Sequence, residues 1–389
     1  MESLVSKNSW LISLTILITL FKSILNYYFL NEFQVILDFV SCLLIILVSL
    51  ICSSLIIKKN IIILVSVIFF YLLIGVSLSN FYYIAAVVDI MFCFTVYCLF
   101  TALKSYDIFL QAWSRNININ IFLVIFPCVF ILFFSESIWI GQRYSDVTFF
   151  LGSLSSFALL TIPTLQHNFN SSNFSQTSFK SGWFSLLRNS LLIFTFFLAN
   201  ARAFMLVAFL IVLPKKKAAF SLIIFTLLGI LFFSQEIFNF FFTRNLSFVP
   251  TGQTNIPRLF EIFFILDSMS SYSYLIGNGL GSLADNPFYD LIPNVPVLVS
   301  NFHNSFLEIF YKFGFFALSL YVFFLYKCYR NTESFNEAIF IIGYLIMSIS
   351  HSRFSANGYD LLIHTLLIFI FLRQKNETHN NYRSIKSEE

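Results

Sequence analysis

Lys58-Lys59-Asn60-Ile61-Ile62-Ile63-Leu64-Val65-Ser66-Val67-Ile68-Phe69-Phe70-Tyr71-Leu72-Leu73-Ile74-Gly75-Val76-Ser77-Leu78-Ser79-Asn80 is an uncharged apolar run held between two lysines and a Ser-Asn turn. From Ile61 to Leu78 it is close to the ~20 residues that cross a bilayer core. Runs of the same kind lie near Trp10 to Leu30, Val35 to Ile57, Phe81 to Leu103, Ile119 to Phe134, Phe149 to Leu165 and Phe184 to Ala199. Others follow at Ala201 to Leu213, Ala218 to Phe233, Phe302 to Tyr326, Ala338 to Ser350 and Tyr359 to Leu372. The expected fold is an all-α polytopic integral membrane protein with about 12 transmembrane helices.

Composition agrees. The 389 residues are 58% hydrophobic and 11% charged, with mean hydropathy +0.83, too few charges to clothe a soluble globule. The net charge of +4 does not signal nucleic acid, because the Lys and Arg residues cluster at the ends of apolar runs and not on one face. Cys42, Cys52, Cys93, Cys98, Cys128 and Cys328 form no Cys-x-x-Cys and lie within or beside apolar segments, so they read as packing residues. Lys7 precedes an apolar run too long for a signal sequence, and the first span is expected to stay as an anchor.

Basic residues fall on alternate connections: Lys58-Lys59, Lys104 with Arg115, Lys180 with Arg188, Lys215 to Lys217, Lys327 with Arg330, and the tail with Arg373, Lys375, Arg383 and Lys386. By the positive-inside rule both termini are expected in the cytoplasm. Residues 1–233 then hold the first nine spans, 234–301 form one large external loop, 302–372 hold three more spans, and 373–389 form a cytoplasmic tail. Most other connections are short, so that loop is where chemistry is expected.

Two short spans meet at Asn200-Ala201-Arg202, which puts Arg202 at or just under the external face. There it either snorkels to the interface or binds an anion, for which its planar fork suits phosphate. Inside the loop, Pro257 opens a helix whose apolar stripe is Leu259, Ile262, Phe263 and Leu266, an amphipathic helix expected to lie on the membrane. Arg258 in its first turn either pairs with Glu261 or joins Arg202 in a clamp. The following Gly277-Asn278-Gly279-Leu280-Gly281 is a turn expected to let the backbone fold over a substrate, and Pro287, Pro293 and Pro296 exclude regular helix after it. His303 is expected in the first turn of the next span, capped by Ser300 or Asn301. There the helix dipole keeps the ring neutral and fit to act as a base, unless it is simply a hydrogen-bonded interfacial histidine.

Glu308 and Lys312, four apart, are expected to pair within their helix. Asp89, well inside the fourth span, is either a site residue or the partner of a polar group on another helix. His351 and Arg353 lie on the external side and, with Asn304, are auxiliary site candidates; His167, His364 and His379 have no partner visible in the sequence. There is no Asp-x-Asp, His-Glu-x-x-His or Walker loop, so neither metal nor cofactor is expected.

Asn200-Ala201-Arg202-Ala203, Arg258-Leu259, the Gly-Asn-Gly-Leu-Gly turn and Phe302-His303-Asn304-Ser305-Phe306-Leu307-Glu308 followed by Lys312-Phe313-Gly314 together resemble the O-antigen polymerase and O-antigen ligase superfamily of bacterial inner membranes. The architectural likeness covers nearly the whole chain, and the sharp motifs occupy Ala199 to Phe204 and Pro257 to Gly314. Asn-Ala-Arg stands where a Ser- or Thr-led arginine motif is more usual, and Pro257 where a small residue is commoner. The resemblance implies that Arg202 and Arg258 bind the pyrophosphate of a polyprenyl-linked oligosaccharide in the periplasm and that His303 is catalytic. Three readings follow: a polymerase joining lipid-linked repeat units, with membrane lipids and a chain-length regulator protein as partners; a ligase moving finished glycan to lipid A core; and, from a different class, a flippase or other transporter. A transporter would show repeat symmetry and broken helices and has no need of a long outer loop.

Overall fold

The structure, a computed structural model, describes residues 2–28, 34–52, 60–78, 81–115, 119, 156–157, 159–163, 256–285, 298–299, 302, 304–350 and 358–373. Arg202, His303, His351 and Arg353 lie outside the described residues, as do the expected spans from Phe184 to Phe233. The described chain is mostly helical. In order it forms α1 (Glu2–Tyr28), α2 (Gln34–Cys52), α3 (Asn60–Leu78), α4 (Tyr83–Leu103), α5 (Tyr106–Arg115), α6 (Ile256–Ser268), α7 (Ser271–Ile276), β1 (Ala284–Asp285), β2 (Leu298–Val299), α8 (Ser305–Arg330), α9 (Phe335–Ser350) and α10 (Gly358–Leu372).

Among the described residues two helices, Tyr83–Leu103 and Ser305–Arg330, are long and apolar enough to cross a membrane. Shorter apolar helices run at Ile36–Cys52, Ile61–Ser77, Phe335–Ile349 and Gly358–Leu372. Their apolar side chains divide into a shared core and an outward band. Leu11, Ile12 and Ile16 of α1, Leu99 and Leu103 of α4, Phe340 and Tyr344 of α9, and Leu362 and Leu366 of α10 bury one another. Phe69, Phe70 and Leu73 of α3 and Phe316, Leu320 and Phe323 of α8 point outward.

Polar pairs cross-link the bundle. Lys22 of α1 pairs with Asp38 of α2, and the Gly358 N–H donates to Thr19 Oγ1 at 3.0 Å. Residues 104 to 115, expected to be only a connection between spans, contain α5 instead. Its Phe109, Ala112 and Trp113 are fully buried, with Trp113 ringed by Phe109 and Phe157. The signal was its own periodicity: apolar residues at 109, 110, 112 and 113, with Asp107 before them and Gln111 among them, mark one helical face.

At that end of the bundle Arg373 joins α10 to α5 and α9. Its guanidinium donates to Glu337 at 2.9 and 3.2 Å and lies 3.9 Å above the Tyr106 ring. The Tyr106 hydroxyl donates to Glu337 Oε1 at 2.5 Å. Burial and then the Glu337 carboxylate push the Tyr106 phenol well above the usual tyrosine range, so it stays a donor.

The all-α expectation misses one feature. β1 and β2 pair antiparallel, with Ala284 opposite Val299 and Asp285 opposite Leu298. The pairing brings Asp285 and Leu298 together; the stretch between them, where Pro287, Pro293 and Pro296 were expected to exclude helix, lies outside the described residues.

Candidate functional site

The outer loop and the helix after it meet on a small second core: Ile265 of α6 and Met269 just after it pack with Ala284, Phe302, Leu307 and Tyr311. The packed stripe of α6 is therefore Glu261 and Ile265, continued by Met269 beyond its end, with Ile262 at its edge, and Phe263 is 65% exposed. The stripe expected to face the membrane, Leu259, Ile262, Phe263 and Leu266, is thus a different face from the one that packs on the start of α8; the Leu259 side chain lies outside the described residues. Arg258 falls in the first turn of α6; its side chain lies outside the described residues, so neither pairing expected of it is tested.

The cap of α8 is Asn304. Its Oδ1 accepts the N–H groups of Phe306 at 2.8 Å and Leu307 at 3.2 Å, where Ser300 or Asn301 was expected to cap. The span thus begins at Ser305, not at residue 302, and position 303 precedes the cap instead of sitting in the first turn. All three candidates have side chains that cap well. Strand pairing at Leu298–Val299 holds the chain extended just upstream, which leaves the later one to start the helix.

α8 breaks at Gly314, whose φ of 78° and ψ of −178° are open essentially to glycine alone. The break frees carbonyls that an unbroken helix would use. Those of Tyr311 and Lys312 accept the N–H groups of Asn278 and Gly279, each at 2.8 Å, and that of Phe313 accepts the Tyr71 hydroxyl at 3.2 Å. Gly277, with φ 79° and ψ 179°, faces the break. A Cβ there would lie 2.3 Å from the Lys312 carbonyl oxygen, and one on Gly314 would lie 2.3 Å from that of Leu275. Further along, the Leu280 N–H donates to the Tyr71 carbonyl at 3.0 Å and the Gly281 carbonyl accepts the Tyr82 N–H at 2.9 Å. The turn expected to fold over a substrate is docked backbone-to-backbone on α3, on α8 and on Tyr82, the N-cap of α4.

Beneath this turn lies a buried ion cluster. Lys312 Nζ donates to Glu308 Oε1 at 2.9 Å, the pair expected from their spacing. It also donates to Asp89 Oδ1 at 2.8 Å, and Asp89 Oδ2 accepts the Gly281 N–H at 3.3 Å. Of the two roles open to Asp89, the polar partner on another helix is the one observed. Glu308 and Lys312 are almost wholly buried, and one ammonium shared by two carboxylates, one of them also holding a backbone N–H, keeps such charges tolerable away from water. Asp89 and Lys312 stood out in the sequence as charges inside apolar runs; the 223 residues between them hid that they meet.

A separate hydrogen-bonded chain runs through the bundle and supplies His364 with its partners. His364 Nδ1 meets the Asp360 carbonyl at 2.7 Å, so it carries the proton and leaves Nε2 to accept from the Tyr344 hydroxyl at 3.1 Å. Tyr344 in turn lies 2.5 Å from the Tyr321 hydroxyl. Among the described residues no group of three His, Cys, Asp or Glu is placed to hold a metal ion.

The class these observations define is a mostly helical chain with helices long and apolar enough to cross a membrane and a loop turn packed into their bundle. No protein-family model matches the chain, nor does any curated protein or solved structure.

Proposed function

We propose that this chain is a multi-span glycosyltransferase of the bacterial inner membrane, most like an O-antigen polymerase, that joins polyprenyl-diphosphate-linked oligosaccharide repeat units at the periplasmic face. The diphosphate is a good leaving group, so transfer needs charge stabilisation and a base for the acceptor hydroxyl. Arg202 and Arg258 neutralise the diphosphate through bidentate contacts. His303 takes the proton as the acceptor oxygen attacks the anomeric carbon opposite the leaving group, which inverts that centre without a metal. Asn304, Arg353 and His351 are auxiliary.

The observation that carries this reading is the second core: Ile265 and Met269 pack against Phe302, Leu307 and Tyr311, which joins the helix opened by Arg258 to the residues flanking position 303. An arginine-bearing helix and the entrance of α8 on one platform support a shared donor and acceptor site. The test is made in the host. Deleting the gene leaves single repeat units on lipid A core if the protein polymerises, whereas bare core with glycan stranded on the carrier identifies the ligase. His303→Ala, accumulating normally in the membrane, is expected to reproduce the deletion, because without a base the acceptor hydroxyl is a poor nucleophile. Full-length glycan in that strain removes the histidine from the mechanism.

A further inference from the structure

We propose that α7 and the glycine turn after it form a re-entrant element within the outer leaflet, with Tyr272, Leu275 and Ile276 facing the acyl chains of bilayer phospholipid. The inference rests on the multi-span orientation proposed above. Two helices give the depth of the turn separately, each counted from its inner end. From Lys327 up α8 to Gly314 is about 20 Å of helix, and from Asn60 at the start of α3 up to Gly75 about 22 Å. Gly277 lies against Gly314 and Gly279 against Gly75. In a hydrocarbon core of about 30 Å the turn therefore lies several ångströms below the outer edge, and any helix tilt puts it deeper.

The path of the chain agrees. Tyr274 stacks edge-on with Phe310, whereas Leu275 and Gly277 meet Gly314 a turn further inward, so α7 descends beside α8. Leu280 and Gly281 then climb back to Tyr82, at the outer end of α4, where Phe81 bridges Ser282.

Irregular backbone at this depth survives only where protein satisfies it. Here the N–H groups of Gly277, Asn278, Gly279, Leu280 and Gly281 all donate to protein acceptors. The side chains are the opposite of those on a lid in water: Tyr272 is 77% and Leu275 62% exposed, continuous with Phe315 and Phe316 of α8, at 60% and 69%. A lid would hold these groups in water; the outer leaflet removes them from it.

The wild-type protein can be placed in phosphatidylethanolamine–phosphatidylglycerol vesicles containing a phospholipid with a mid-chain diazirine, irradiated, and its adducts mapped by tandem mass spectrometry. Adducts are expected on Tyr272, Leu275 or Ile276 and also on the Phe315 to Tyr326 face of α8. Adducts on α8 with none on α7 overturn the re-entrant element and leave the multi-span reading standing. Labelling of α7 only by a diazirine beside the headgroup overturns it as well. Absence of adducts from α8 overturns the multi-span reading, and this inference with it.

Discussion

Lys312 is the residue on which most of the buried electrostatics converge, since its one ammonium serves Asp89 on α4 and Glu308 on its own helix. Removing one member of a buried ion pair leaves the others charged without their partner, which costs roughly 3–5 kcal/mol. Lys312→Met is accordingly expected to lower the thermal unfolding midpoint in detergent sharply. Combining it with Asp89→Asn should cost less than the sum of the two single changes, because the second removes a carboxylate the first left stranded. Strict additivity would mean that the pair contributes nothing. The spacing of Glu308 and Lys312 made their pairing legible, because a helix brings residues four apart onto one face. Nothing in the local sequence pointed Asp89 at the same ammonium.

Gly277 and Gly314 belong to the scale of elements, since together they decide how α7 sits on α8. Both hold backbone conformations that a side chain resists, and each would drive a Cβ into the other's segment. Gly314→Ala is expected to cost at least the roughly 1–3 kcal/mol of such a conformation, with the overlap against the Leu275 carbonyl added to it. The loss should register as a lower unfolding midpoint and faster proteolysis of the α6–α7 segment; an unchanged midpoint would mean that α8 runs straight through. At the other end of the bundle, Arg373→Gln removes the fork that ties α10 to α9. Hydrogen bonds to charged groups contribute about 1.5–3 kcal/mol, and a loss of that size is expected in the same assay. Arg373→Lys should recover only part of it, because lysine keeps the charge but lacks the planar fork that reaches both oxygens of Glu337. A full recovery would assign the effect to charge alone.

For the whole molecule, the alternation of basic connections predicts that a reporter fused at Asn255 reads outside and one fused at Lys216 reads inside; finding both on one side would end the proposed topology. The helices themselves were the most legible part of the chain. Ile61 to Leu78 became α3 at Asn60–Leu78, and Tyr359 to Leu372 became α10 at Gly358–Leu372, because an apolar run satisfies its own backbone only as helix and basic residues mark where it stops. Start positions were less certain where several residues offer the same chemistry, as Ser300, Asn301 and Asn304 did at α8. Among the described residues the sequence by itself thus determined the mostly helical character, the apolar runs that became α1 to α4 and α8 to α10, the pairing of Glu308 with Lys312 and the turn at Gly277 to Gly281, all of which depend on neighbours within a few residues. Only the tertiary structure decided what that turn touches, which face of α6 packs, and that Asp89 shares Lys312. Each of these is complementarity between segments up to 242 residues apart, and such contacts leave no periodic trace in either segment alone.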